Sequence, residues 1–372
     1  MAMVAGVAVS AAAVYFIVGR GDTDSTTTTP GATVPITASG GTDTDTDTTD
    51  TLATGSSAAQ TTNPIVEGVA ERLAFNGRDD GAGIPGPALA AGAPATLTGL
   101  AVAPDGDTYV VSAGPVVVRI FGDQVAVAAD ISVAAEAATG ITIGSDGTLF
   151  VATSAGVVRI IDGIPELILD GRSAGLSPTL GPLALDGGGN LYIADNGTSR
   201  IIRRAPDGAL TLVAGTGAPA AAGSTPVEGA AAATSEIGFV SGLVVARDGS
   251  LLVADASLRR IRAVAPDGNI TTVAGGGAIA LDTFVGAEVA AGTTARDLSF
   301  TSVSGVAVDK EERIYVADGS EKVIVRIASD GEIATWPVAA PPTSGLAISP
   351  SGTLLYSDGL ALWALAGATG QR

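Results

Sequence analysis

The chain has 372 residues, 46% hydrophobic but only 4% aromatic, so Ala, Val, Leu and Ile must fill any core. It contains neither Cys nor His, which excludes disulfides, thiolate metal sites, and the commonest general base and metal ligand. The 38 acidic residues against 19 basic ones give a net charge of −19. Affinity for phosphates rests on Lys and Arg, so nucleic acid and anionic membrane surfaces are poor partners.

Residues 2–18 carry no charge and only Ser10 and Tyr15 as polar side chains, about the shortest run able to span a hydrocarbon core as a helix. No basic segment precedes it, as a cleaved signal would require, although Ala11-Ala12-Ala13 leaves cleavage open as the alternative. The expectation is a single-pass transmembrane anchor over 1–20 with the rest of the chain extracytoplasmic. Arg20 lies on the wrong side for that orientation, which a cytoplasmic domain upstream of Met1 would explain. Residues 21–63 are Thr, Asp, Ser, Gly and Ala, with too few apolar side chains to offset ordering, and read as a disordered linker. Asp43, Asp45 and Asp47 look like a calcium loop, but Thr48 and Thr54 stand where Gly and Glu are needed.

Residues 64–372 repeat. Gly99, Gly140, Gly181, Gly242, Gly305 and Gly345 each open an apolar strand, at steps of roughly 41 or 61–63 residues. A second strand follows each, centred on Tyr109, Phe150, Tyr192, Leu252, Tyr315 and Leu355. Asp-Gly turns punctuate most units, while Asp309-Lys310-Glu311-Glu312 in the fifth predicts a different turn type. Four-strand units apolar on both faces need neighbours on both sides, and radial stacking supplies them. The sixth unit lacks a fourth strand, and an orphan strand at 65–75 precedes the first. The prediction is an all-β, six-bladed β-propeller whose N-terminal strand completes the last blade and removes an open sheet edge.

The segments LYIADNGTSRIIRRAPDGALTLVAGTG and LLVADASLRRIRAVAPDGNITTVAGGG resemble NHL repeats, although Thr198-Ser199 and Leu258-Arg259 replace the name-giving Asn-His pair. Anchor, Thr-rich linker and propeller together are similar to the sensor half of bacterial receptor-type Ser/Thr kinases, without the kinase. The resemblance implies a propeller that binds ligands.

The loops after the second strands and the connections between blades share one face. Its richest arc comprises Asp195, Asn196, Arg200, Asp255, Arg259, Arg260, Asp318 and Lys322. A short polar residue at a strand end also caps the following turn, and the recurring Arg119, Arg159, Arg203, Arg262 and Arg326 read as packed stems with solvated heads. Arg200, Arg259 and Arg260 break the one-per-blade pattern and are the preferred binding residues. Without His or a base beside any Ser, the sequence reads as a non-enzyme with no cofactor or metal. It would bind a protein, glycan or other cell-envelope ligand at the membrane. The alternatives are a calcium-dependent lactonase-like hydrolase, using Glu, Asn and Asp, or an assembly scaffold.

Overall fold

The computed structural model describes residues 69–281 and 292–365. The expected anchor and linker, and residues 282–291 in the last of the three long connections (76–96, 218–236 and 278–298), lie outside them. Among the described residues no helix is long and apolar enough to cross a membrane.

Six antiparallel sheets, each built on four strands in meander order, form the blades. Their innermost strands are Leu97–Val102, Ala138–Ile143, Leu180–Leu185, Val240–Val245, Val303–Val308 and Ser344–Ile348. Each touches the innermost strands of both neighbouring blades, the sixth returning to the first, so the ring is closed. The sixth sheet runs Ser344–Ile348, Leu354–Ser357, Leu362–Leu365 and then Ala70–Ala74, which pairs antiparallel with Leu362–Leu365. The orphan N-terminal strand thus completes the last blade, as the unit count required. Phe75, Val110, Val118, Leu355 and Leu362 pack into one buried cluster across the seam between blades 6 and 1. Short strands Gly86–Pro87 and Ala230–Ala231, from the first two long connections, cover the outer edges of blades 1 and 4.

The recurring glycine sits at or beside a register shift in every innermost strand. Gly140 shows why a bulge there needs so small a residue: a Cβ would sit 2.6 Å from the carbonyl oxygen of Gly181 on the next blade. The phase differs in blade 3, where Leu180 pairs with Asp195 and Leu183 with Ile193. Gly181 therefore stands at the position of Thr98, and Pro182 at that of Gly99.

Two expectations need correction. The fifth-unit turn is not of a different type. Glu312 N–H donates to Asp309 O (3.1 Å) as Gly189 N–H donates to Asp186 O (3.0 Å), and Glu312 has φ +61° where other blades place Gly. Its carboxylate compensates by accepting from the Arg247 N–H of blade 4 at 3.2 Å. Second, Arg262 does not belong to the once-per-blade set. Arg119, Arg203 and Arg326 pair with Tyr109, Tyr192 and Tyr315, whereas Leu252, at that position in blade 4, pairs with Ala263. Arg262 pairs with Val253, at the position of Val118, Val158, Ile202 and Val325, and so lies on the opposite face of its blade.

Candidate functional site

Around the axis, all six innermost strands line a cavity of about 270 Å³ without a single ionisable side chain. Its hydroxyls serve the ring. Thr98 Oγ1 donates to Ala138 O (2.9 Å), Ser241 Oγ to Val303 O (2.8 Å) and Ser344 Oγ to Leu97 O (2.8 Å), each bonding the same carbonyl of the next blade. Blade 3 has Gly181 there, and Asn196 supplies the missing link. Its Nδ2 donates to Val240 O (3.0 Å) and its Oδ1 accepts from Val240 N–H (2.9 Å). The axial residues do not fit a calcium ion, which wants several carboxylate and carbonyl oxygens converging. Among the described residues no group of three or more acidic side chains could hold a metal.

The three loop-face aspartates are buried, at 1%, 0% and 0% exposure for Asp195, Asp255 and Asp318. Each ties the connection before its blade to the loop after its second strand. Asp195 accepts from Ser177 N–H and Oγ–H and from Thr198 N–H. Asp255 accepts from Gly238 N–H (2.8 Å) and Leu258 N–H (2.9 Å), and Asp318 from Thr301 and Ser302 N–H. Burial pushes the Asp255 carboxyl above its ordinary range, against the pull of those N–H donors and of Arg262.

The cationic members of the arc divide. Arg260 is 9% exposed, donates from Nη1 to Ser224 O (2.7 Å) and lies so close to Gly276 that a Cβ there would be 2.2 Å from its Nε. Arg259 and Lys322 are exposed and occupy equivalent left-handed positions, φ +55° and +53°. A non-glycine residue is uncommon in that conformation. Both stand on the loop face of a strongly acidic protein.

Arg200, half-buried, behaves differently. With Thr198 it lines a cavity of about 140 Å³ on the outer flank of blade 3, bounded by Ala174–Leu176, Asp195, Ile202 and Leu210–Leu212. Arg200 Nε and Thr198 Oγ1 are both buried without a hydrogen-bond partner. Both residues line this cavity beside Ile202, Leu210 and Leu212. A larger depression of about 600 Å³ on the opposite face, between blades 5, 6 and 1, has its polar groups engaged with one another: Arg313 Nε donates to Asp309 at 2.6 Å, and Ser349 and Ser351 bond each other. The structure therefore brings Asp195 and Arg200 to one cavity and spreads Asn196, Asp255, Arg259, Arg260, Asp318 and Lys322 elsewhere. Thr198 was not a sequence candidate.

No protein-family model matches the chain, and no curated protein does. Solved structures do. A protein of unknown function from Bacteroides thetaiotaomicron aligns at 15% identity over 79% of this chain and 74% of its own, with a TM-score of 0.58. A gluconolactonase from Xanthomonas campestris aligns at 17% over 72% and 85% (TM-score 0.53), and a putative gluconolactonase at 16% over 80% and 91% (TM-score 0.53). These likenesses establish the six-bladed fold. They also overturn the expectation that a chain of this architecture is not an enzyme, since two of the three neighbours bear enzyme names.

Proposed function

We propose that the chain is a small-molecule-handling propeller of lactonase-like architecture. It takes a polar ligand bearing a carbonyl or carboxylate oxygen at the blade 3 cavity. The observation that carries this reading is one cavity lined by two residues, Arg200 and Thr198, that each keep a donor without a partner, beside Ile202, Leu210 and Leu212. Burying such donors is costly unless an acceptor arrives, and a carbonyl or carboxylate oxygen is the acceptor both can share. Lys322 and Arg259 on the same face would draw an anion toward a protein whose overall charge repels it.

Hydrolysis of a lactone is the reaction that the two gluconolactonase neighbours favour for this scaffold. Here Arg200 would polarise the ring carbonyl, and the product hydroxy acid would pair with the same guanidinium. The reading of an NHL-type sensor at the cell envelope rests on the repeat resemblance and on residues 1–63, and would employ the same loop face for recognition.

The test uses the full chain. Acid release from a panel of aldonolactones is followed with and without EDTA, and binding of the matching hydroxy acids is followed by calorimetry, for wild type and Arg200→Met. Turnover abolished by the substitution supports the hydrolase; binding without turnover supports the receptor. Neither activity, or turnover indifferent to Arg200→Met, overturns the site.

A further inference from the structure

The register shift in blade 4 places a charged residue where the fold asks for an apolar one. Val118, Val158, Ile202 and Val325 fill the equivalent position in blades 1, 2, 3 and 5, so nothing in the architecture calls for a cation there. Arg262 is nevertheless 0% exposed, and its Nε, Nη1 and Nη2 all lack a hydrogen-bond partner. A guanidinium buried without acceptors is among the costliest arrangements a protein can hold.

The neighbouring acidic groups do not relieve it. Glu228 and Asp255 attract Arg262 electrostatically, yet among the described residues neither forms an ion pair with it. Both are engaged elsewhere: Glu228 accepts from Thr272 N–H and Thr272 Oγ–H, each at 2.6 Å, and Asp255 accepts from Gly238 and Leu258 N–H. Arg260, two residues back along the strand and therefore on the same face, has one Nη bonded to Ser224 of the connection between blades 3 and 4. That connection also carries Glu228. The two departures of blade 4 from the repeat, an arginine in a core position and a long connection laid against it, thus coincide in space.

We infer that Arg262 and Arg260 form the floor of a binding site for a small oxyanion, a carboxylate or a phosphate group, between blades 3 and 4 beneath the Ala218–Glu236 connection. A guanidinium presents a planar fork of donors that matches two oxygens of such a group, and Glu228 and Asp255 leave all three nitrogens of the Arg262 fork unbonded. The site is separate from the Arg200 cavity, which lies against the other neighbour of blade 3.

Calorimetric titration of the full chain with sodium phosphate and with sodium acetate, at constant ionic strength, tests this. Wild type should show a saturable site that depends on Arg262, and the anion preferred there identifies the class. Arg262→Met should weaken binding by about tenfold or more, as expected for losing charge-assisted bonds. Arg262→Lys keeps the charge but not the fork, and should fall between the two. Arg119→Met, in blade 1 and outside both sites, should leave the binding unchanged. No saturable heat with either anion, equal affinity in wild type and both Arg262 variants, or loss of binding in Arg119→Met would each overturn the assignment.

Discussion

Replacing Asn196 by Ala removes a clamp between blades that has no substitute nearby. Two bonds are lost, 3.0 and 2.9 Å long, and both belong to the backbone of Val240, a residue 1% exposed. An orphaned buried N–H or C=O costs about 1–3 kcal/mol, so the pair should cost about 2–6 kcal/mol, a large share of the stability of an ordinary domain. Urea unfolding followed by circular dichroism reads the loss as a lower midpoint with an unchanged slope. The structure also prescribes a rescue. Gly181 stands where Thr98, Ser241 and Ser344 carry their hydroxyls, and a Cβ at 181 would meet Asn196 Nδ2 at 2.4 Å. Gly181→Ser should therefore clash with Asn196 in the parent chain but recover about 1 kcal/mol in the Asn196→Ala background by reaching the Val240 carbonyl. A loss below about 0.5 kcal/mol for Asn196→Ala, within the range of ordinary surface changes, or further destabilisation in the double variant, would refute the reasoning.

Two further outcomes are expected. Burial would raise the Glu228 carboxyl, but the two Thr272 bonds and the charges of Arg262 and Arg296 outweigh it and hold the group below its ordinary value of 4.5. A depressed carboxyl contributes stability above its unfolded pKa and loses it as pH falls through the folded one, so Glu228→Gln should cost most above pH 4.5 and progressively less below. Melting temperatures across pH check this; a pH-independent difference contradicts it. Because the chain has no Cys, Glu71→Cys with Ala364→Cys introduces a single candidate disulfide between residues directly opposed in the closing strand pair. Oxidation should give an intramolecular crosslink, visible by gel mobility and by raised thermal stability, whereas exclusively intermolecular dimers would contradict the closure.

The ring was legible because its periodicity is written in side chains that have no alternative. A glycine recurring in each innermost strand, Asp-Gly turns, a sixth unit short of its fourth strand and an orphan strand before the first lead to six blades and to Ala70–Ala74 closing the last. The site was far less legible. Asp195, Asp255 and Asp318 recur because each ties two loops together, and recurrence cannot separate that task from ligand contact. Asn196 was visible as a polar residue on the loop face, but its partner is fixed by the single-residue phase change at Gly181 and Pro182, detectable only once the strands are paired. Arg262 was hidden likewise. In sequence it falls in line with Arg119, Arg159, Arg203 and Arg326, and only the pairing of Val253 with Arg262 shows that it faces the other way. Spacing along a strand reports periodicity well and absolute register poorly, and one residue of register exchanges solvent for core.

The account stands most directly on where a ligand protects the chain. Amide hydrogen exchange of the full protein, with and without a lactone or its hydroxy acid, should slow at 171–176 and 198–202, which border the blade 3 cavity, and leave the innermost strands unchanged. Protection confined to the axial residues, such as Thr98–Val102 and Ser241–Val244, would contradict it.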